Sequence, residues 1–444
     1  MHFINNIRKI LFPFYKEKNI REILKILNAE RKNDAMLVGG CVRNFLNNEK
    51  IGDIDIATIF TPDEIIKKFS KKDFKIIKSG IDHGTITLSN EGKNFEITTL
   101  REDVVTDGRH AKVSFTKDWK KDSERRDFTI NSIYLDQNGK IYDPQNGVQN
   151  LKDKVVKFIG DPQKRIEEDY LRILRFLRFS IQYHDFSKDD QTFKIIKRNI
   201  NGIIKLSKER ILSELMKIIN LNNIIDFISK REFYEIFKII FPELKYLDRL
   251  KYIKKNDYKK YIQSEKNLIL ALAMVDNTDN HIYFSHKYKI SNNLKEYLNF
   301  FHEYFYETKK NKKFFKEEIK KNIFYHGKNK ILSLAKFYFI SNSRKNYQEL
   351  DDILNKIHST NIPIFPITGN YLIEQGIKSG KRIGEVLKKI EKKWVENDFK
   401  LKEEDLKNLI NKYNKLYIFY LQDFKIFFSR RCIDIYCIFS HFSY

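Results

Sequence analysis

Apolar and polar positions follow two different periods along this chain, and the change between them falls near Gly160. Residues 20–32 place Ile20, Ile23, Leu24, Ile26 and Leu27 at helical spacing. From Ala35 to about Gly160 the spacing shortens to that of strands. Val38, Ile54 and Ile56 belong to the first of these, and Thr85–Leu88 and Phe95–Leu100 alternate around the turn-like Asn90-Glu91-Gly92-Lys93. Ile130–Leu135 and Lys140–Asp143 flank Asp136-Gln137-Asn138-Gly139, a hairpin turn. Beyond Gly160, Asp161 is a good N-cap and Pro162 a good first helical residue. Leu171, Leu174, Phe176 and Leu177, then Ile211, Leu212, Leu215 and Ile218, carry apolar helical stripes, and helices continue to about residue 415. Pro363 and Pro366 mark a late loop, and no fixed-period repeat interrupts the run. The pattern predicts an α+β chain: a first helix within 1–32, a head with a mixed β-sheet over 33–160, a helical neck over 161–225, a helical body and tail over 226–415, and an extension over 416–444.

With 444 residues the chain exceeds what one core serves, so two or more domains are expected. A formal charge of +25 narrows the partner to a polyanion, nucleic acid before an anionic membrane. Residues 305–325 are dense in Lys with interleaved Phe and Tyr, which reads either as a solvated helix face or as a surface for an RNA backbone. Cys41, Cys432 and Cys437 can build neither a disulfide framework nor a four-ligand zinc site, so the expectation is a reduced, cytoplasmic protein. No apolar run approaches the roughly 18 residues of a membrane span. The start, Met1 to Lys9, lacks the apolar stretch and cleavage site of a secretion signal; it resembles a weak organellar presequence, but a short amphipathic helix is the preferred reading.

The chemistry concentrates at three places. Gly39-Gly40-Cys41-Val42-Arg43 opens a helix, and ten residues later comes Asp53-Ile54-Asp55-Ile56. Strand side chains alternate, so Asp53 and Asp55 share one face while Ile54 and Ile56 enter the core. Two adjacent carboxylates suit hard divalent cations such as Mg²⁺, and glycines ahead of a helix let backbone N–H groups approach phosphate. The plain alternative is a glycine turn beside a solvent-facing edge strand. Glu96, on another predicted strand, either completes the carboxylate set or is an ordinary surface glutamate. Arg125-Arg126-Asp127-Phe128-Thr129-Ile130-Asn131 places charges at the opening of an apolar strand, where Arg can fork onto phosphate and Asp can accept from a ribose hydroxyl. Against that stands a loop end with one salt bridge.

The third place is Glu167-Glu168-Asp169-Tyr170-Leu171-Arg172 with Arg175 beyond it. On a continuous helix Asp169 and Arg172 are surface neighbours, as are Glu168 and Arg172, and helices are full of such weakly stabilising pairs. The Asp/Arg pair nonetheless suits a base edge. Cytosine and adenine each present an amino donor beside a ring-nitrogen acceptor, which Asp and Arg match. Guanine and uracil present a carbonyl and a ring N–H there, and each buried mismatch costs about 1–3 kcal/mol.

Taken in order, these motifs resemble the class II tRNA nucleotidyltransferases, the CCA-adding enzymes of the polymerase β superfamily. The likeness runs from Leu37 to about Lys217 and includes Tyr142-Asp143-Pro144, Asn146-Gly147, and Lys208-Glu209-Arg210 with Glu214; a weaker one covers Gly369–Trp394. It implies a template-independent enzyme that adds or repairs the 3′-terminal CCA of tRNA from CTP and ATP, with Mg²⁺ as cofactor and the tRNA acceptor arm as partner. Asp53 and Asp55 would be the catalytic metal ligands, with Glu96 beside them. Gly39, Gly40, Arg43, Arg126, Asp127, Asn131, Asp169, Arg172 and Arg175 would bind the nucleotide, Asp127 at the sugar. Arg175 would support either the phosphates or the geometry of Arg172. The family's flexible loop falls at Thr106–His110. The chain departs from the family at Asn44, where Asp is usual; a structural role survives that change, and a role needing charge does not. The extension over 416–444 carries none of the motifs behind the resemblance and reads either as an added packing element or as an accident of gene boundary. A bacterial-type poly(A) polymerase shares most of these motifs, but Gly80-Ile81-Asp82-His83-Gly84-Thr85-Ile86-Thr87 looks like the CCA-adding form. A catalytically silent tRNA-binding protein is the other alternative, opposed by the intact aspartate pair. His184-Asp185 lacks the partners of a metal phosphohydrolase and reads as a helix end.

Overall fold

The computed structural model describes residues 13–105, 112–183, 191–251, 253–342, 346–377 and 380–412. The short helix expected at Met1–Lys9, the loop Thr106–His110, His184-Asp185 and the extension over 416–444 lie outside the described residues. Two compact units are present, residues 1–302 and 303–444.

The first unit opens with the helix Lys18–Leu27, which buries Ile20, Ile23, Leu24 and Leu27, the stripe its spacing predicts. Seven strands then form one sheet: β1 (Ala35–Val38), β2 (Ile54–Thr58), β3 (Lys75–Ile77), β4 (Thr85–Asn90), β5 (Lys93–Thr99), β8 (Tyr134–Leu135) and β9 (Ile141–Tyr142). Between β5 and β8, β6 (Arg101–Val105) and β7 (Lys112–Phe115) pair separately as a hairpin. The order across the large sheet is β3-β4-β5-β2-β1-β8-β9. It is mixed: β2 and β5 run parallel, and the other described pairs are antiparallel.

One face of this sheet is closed. Leu37, Ile56, Ile86, Leu88, Phe95 and Ile97 pack there against the first helix and against Val42, Ile65 and Phe69. The opposite face carries a smaller cluster of Met36, Val38, Ala57, Leu100 and Tyr134, covered by Trp119. Because Ile56 faces the closed side, Asp55 and Ala57 face the other. The alternation thus puts a carboxylate on the side that helices leave partly uncovered.

The expected turns form: Glu91 and Gly92 adopt positive φ between β4 and β5, and Gly139 does so between β8 and β9. Two strand expectations were too long. Ile130–Leu135 is a strand only at Tyr134–Leu135, and Thr129–Asn131 winds into a 3₁₀ turn. The cause is local: the Asp127 carboxylate accepts from the Phe128 N–H and the Asn131 amide, both at 2.9 Å, which coils the chain before it can extend. Lys140–Asp143 keeps only Ile141–Tyr142, because Asp143 accepts from the N–H groups of Gly147 and Val148, both at 2.8 Å, and so starts the helix Gly147–Lys152.

Past Gly160 the described elements are helical. Asp161 caps Pro162–Glu168 by accepting from the Lys164 N–H at 2.9 Å, with Pro162 at the first position as expected. Leu171–Tyr183 then packs against Lys208–Ile219, and Leu174, Leu177, Ile211 and Leu215 on these helices are buried. In the second unit, helices Ile319–His326, Lys328–Ser341, Tyr347–Ser359 and Lys381–Glu396 build an apolar interior that includes Ile331, Leu334, Leu350 and Ile390. Pro363 and Pro366 lie between helices, as expected. In the lysine-rich stretch Phe305, Phe314 and Phe315 are buried, while Tyr306 and Tyr325 remain exposed. Among the described residues no helix is long and apolar enough to cross a membrane.

Candidate active site

Gly39 ends β1 with φ +74° and ψ −130°, a backbone that L side chains rarely adopt. The turn aims the helix Gly40–Leu46 back over the sheet. A Cβ at Gly39 would lie 3.7 Å from Asp55 Oδ2, 3.9 Å from Arg126 Nη1 and 3.9 Å from the Asn131 carbonyl oxygen. One glycine therefore stands where the first two motifs meet, although Asp55 and Arg126 are 71 residues apart in the chain.

Asp53 precedes β2 and is exposed, while Asp55 lies within the strand and is half-buried. In the parallel β2–β5 pair Asp55 is in register with Glu96, so the two carboxylates are side by side. Burial, the Glu96 charge and then the Asp53 charge push the Asp55 carboxyl up to about 6, with Arg126 and Arg43 opposing them. Among the described residues no three acidic, His or Cys side chains converge tightly enough to hold a metal alone. The crowding of Asp55 fits a divalent cation, whose charge would relieve it.

Arg43 turns inward. It donates to Asn131 Oδ1 and, at 3.0 Å, to Asn44 Oδ1, and its guanidinium lies over the rings of Phe179 (4.8 Å) and Tyr183 (5.1 Å). Asn44 accepts from Arg43 and the Tyr183 hydroxyl and donates to the Lys50 carbonyl at 3.0 Å, so the amide has a full structural role. Arg126 is held by Asp122 and Tyr134. Asp127 receives Arg175 Nε and Nη2 at 2.6 Å and Asn131 Nδ2 at 2.9 Å. Burial works to raise the Asp127 carboxyl, but Arg175 and Asn131 outweigh it and hold it down at about 2. Arg175 thus supports Asp127, and neither of its two expected tasks is seen directly.

The third motif differs from a continuous helix. Pro162–Glu168 stops at Asp169, which takes an extended conformation (φ −153°, ψ 104°) and caps the next helix by accepting from the Leu171 N–H at 3.1 Å. Asp169 and Arg172 consequently do not pair with each other. Asp169 binds Arg210 Nη2 at 2.7 Å, and Arg172 Nη1 donates to Glu168 at 2.6 Å and to the Arg165 carbonyl at 2.8 Å. Arg165 in turn donates to the carbonyls of Arg125 and Arg126 at 2.6 and 2.7 Å, which joins the third motif to the second. Glu214 pairs with Arg178 at 2.7 Å and Lys217 at 3.0 Å, bracing the two neck helices.

Asp122, Tyr134, Arg165 and Arg210 were not singled out as site residues from the sequence. Asp122 had a signal, since it lies three and four residues before Arg125 and Arg126, the spacing of helical ion pairs. Arg210 stood in the motif Lys208-Glu209-Arg210, but nothing there pointed to its partner Asp169, 41 residues away.

Residues 35–157 match the family described as the poly A polymerase head domain, 185–247 match the probable RNA- and SrmB-binding site of polymerase A, and 260–410 match tRNA nucleotidyltransferase domain 2. These matches make the sheet a nucleotidyltransferase head of the polymerase β superfamily. The mitochondrial CCA tRNA nucleotidyltransferase 1 of Mus musculus is 33% identical over 414 residues, covering 87% of this chain and 88% of its own. The CCA-adding enzyme of Staphylococcus haemolyticus is 34% identical over 387 residues, covering 84% and 93%. The fold is also that of the Bacillus stearothermophilus CCA-adding enzyme in complex with CTP (TM-score 0.68, 22% identity, 89% of this chain and 97% of that one). On this evidence the chain belongs to the class II CCA-adding enzymes, the tRNA nucleotidyltransferases. Relatives of that kind over most of the chain set aside the poly(A) polymerase reading.

Proposed function

We propose that this enzyme adds or repairs the 3′-terminal CCA of tRNA from CTP and ATP at a site built on Asp53 and Asp55, with Mg²⁺ as the cation. The observation that carries the reading is the junction at Gly39, where Asp55 Oδ2 and Arg126 Nη1 both lie within 4 Å of a missing Cβ. A phosphate brought there would face a carboxylate pair on one side and a guanidinium on the other. Divalent cations held by the aspartates would neutralise the triphosphate and acidify the attacking 3′-hydroxyl. Such chemistry asks for placement and charge neutralisation rather than covalent help. The turn at Gly39 and Gly40 admits the triphosphate, and Arg126 steadies it. Asp127, fixed by Arg175 and Asn131, is ionised and available to accept from a ribose hydroxyl. Glu96 keeps Asp55 crowded and hungry for a cation. Asp169 and Arg172 read the base edge, each exchanging its present partner for the nucleotide. The head over 33–160 carries the chemistry, the neck over 161–225 the selection, and the helices over 226–415 the tRNA, in keeping with the net positive charge. Cysteine use favours the cytoplasm.

The test offers purified protein a tRNA lacking its CCA end, with each nucleotide triphosphate separately. Wild type should incorporate C alone from CTP and then A onto a CC end. Asp53→Ala should abolish transfer while tRNA affinity stays within about twofold, since the carboxylate acts on the reacting phosphate rather than on RNA binding. Transfer that survives Asp53→Ala would remove the aspartates from the reaction, and loss of tRNA binding alongside it would make their role structural.

A further inference from the structure

A carboxylate outside the recognised motifs anchors the pair Arg125 and Arg126. Asp122, on the helix Trp119–Glu124, is 1% exposed. Its Oδ1 accepts from Arg125 Nε at 2.8 Å and from the backbone N–H of Arg101 at 3.3 Å, and it pairs with Arg125 Nη2 at 2.8 Å. Its Oδ2 accepts from the Tyr134 hydroxyl at 2.8 Å and from Arg126 Nη2 and Nε at 3.0 and 3.2 Å. A carboxylate offers roughly four lone-pair positions, so these contacts fill it. Three segments meet there: the foot of the β6–β7 hairpin at Arg101, the arginine pair, and β8 at Tyr134. A second link, Lys121 to Glu102 at 3.1 Å, ties the same helix to the same hairpin.

The way Arg126 is gripped decides where it points. Asp122 engages Nε and Nη2, and the Tyr134 oxygen also accepts from Nε at 3.2 Å. Nη1 is left directed at the Gly39 turn, beside the place where Asp55 Oδ2 lies. Burial works to raise the Asp122 carboxyl, but Arg126, Arg125 and Tyr134 hold it down at about 2, so it carries charge at every working pH and has no part in moving protons. Stability alone is a poor reason for the cluster, because buried ion pairs are often matched or exceeded by apolar packing of similar volume.

We propose that Asp122 is a positioning residue for nucleotide binding: it fixes the Arg126 guanidinium against the Gly39 turn and couples that guanidinium to the hairpin foot at Arg101. The proposal rests on the reading of Arg126 as the group that steadies the triphosphate.

The experiment measures steady-state C and A addition to truncated tRNA by wild type, Asp122→Asn, Tyr134→Phe, Arg126→Ala and the double variant Asp122→Asn/Arg126→Ala. Asp122→Asn should raise KM for both CTP and ATP about tenfold, the range of one misaligned charge-assisted bond, with kcat and the tRNA KM within about twofold. Tyr134→Phe, which removes one hydroxyl from the cluster, should raise the nucleotide KM about two- to threefold in the same direction. In the Arg126→Ala background Asp122→Asn should add nothing to KM, because residues acting through one group are not additive. Unchanged nucleotide KM values in Asp122→Asn and Tyr134→Phe would overturn the proposal, as would full additivity in the double variant. Should Asp122→Asn fail to fold, Tyr134→Phe alone decides the matter. An Arg126→Ala variant with wild-type KM would instead defeat the underlying reading of Arg126, a distinct result.

Discussion

Replacing Asp55 with Asn should stop the reaction and make the protein more stable, and the second effect can be sized from the structure. The Asp55 carboxyl is pushed from an ordinary 3.8 to about 6, first by burial and next by Glu96. A folded-state value above the unfolded one means that the unfolded chain gives up its proton first. Folding stability is therefore lost as pH rises from about 3.8 to about 6, and the whole cost is present at neutral pH and above. At ~1.4 kcal/mol per pH unit the cost is about 2–3 kcal/mol, the lower end allowing for the partial exposure of the group. Asn fills the same space without the charge. In chelator at pH 8, Asp55→Asn should exceed wild type by that amount, and near pH 4 the two should coincide. Adding Mg²⁺ should then stabilise wild type and leave the variant nearly unmoved, because a ligand stabilises only the protein that binds it. Urea unfolding of both proteins at the two pH values, with and without the cation, measures every quantity in this reasoning. An Asn variant no more stable than wild type at pH 8 would refute the account of charge crowding. Equal stabilisation of both proteins by Mg²⁺ would refute Asp55 as its ligand.

Acid should act through the opposite kind of shift: Asp122 and Asp127 are both held down at about 2, so each contributes stability that is complete above pH 3.8 and lost as pH falls toward 2. Unfolding free energies from urea titrations between pH 5 and pH 2.5 should fall by about 1–2 kcal/mol for each group, and a flat profile there would contradict the ion-pair assignments. Gly39→Ala forces a side chain into a positive-φ turn and should cost about 1–3 kcal/mol while raising the nucleotide KM, checked by thermal unfolding and initial rates. Asp169→Ala and Arg172→Ala should each let U and G into the product, narrowing selection by about ten- to a hundredfold. Single-nucleotide incorporation assays read that directly, and continued strict use of C and A would remove these residues from base selection.

Much of the head was legible in the sequence because its signals are short-range. The β-turn glycines, the alternation of Ile54, Asp55 and Ile56, and the Asp161–Pro162 cap each depend on residues within a few positions of one another. What escaped notice depended on side chains that override the local pattern. Ile130–Leu135 has the composition of a strand, yet the Asp127 carboxylate coils its first half into a turn. The third motif reads as one helix, yet Asp169 breaks it to reach Arg210, a partner set by the packing of two neck helices. Asp122 showed only its helical spacing to Arg125 and Arg126, because its links to Arg101 and Tyr134 come from segments that the fold gathers around it.

The break at Asp169 bears on how selection can work. In this structure neither of the two groups proposed to read the base is unpaired: Asp169 holds Arg210, and Arg172 holds Glu168. A nucleotide must displace or share those partners, and that cost is the same whichever base arrives. It therefore lowers the affinity for every nucleotide by one factor and cancels from the comparison between them, which is set by the difference of their affinities. The difference arises afterwards, when an amino group and a ring nitrogen can replace what was given up and a carbonyl and a ring N–H cannot. Two ion pairs that look like obstacles to binding thus leave discrimination intact and spare the empty site an uncompensated charge.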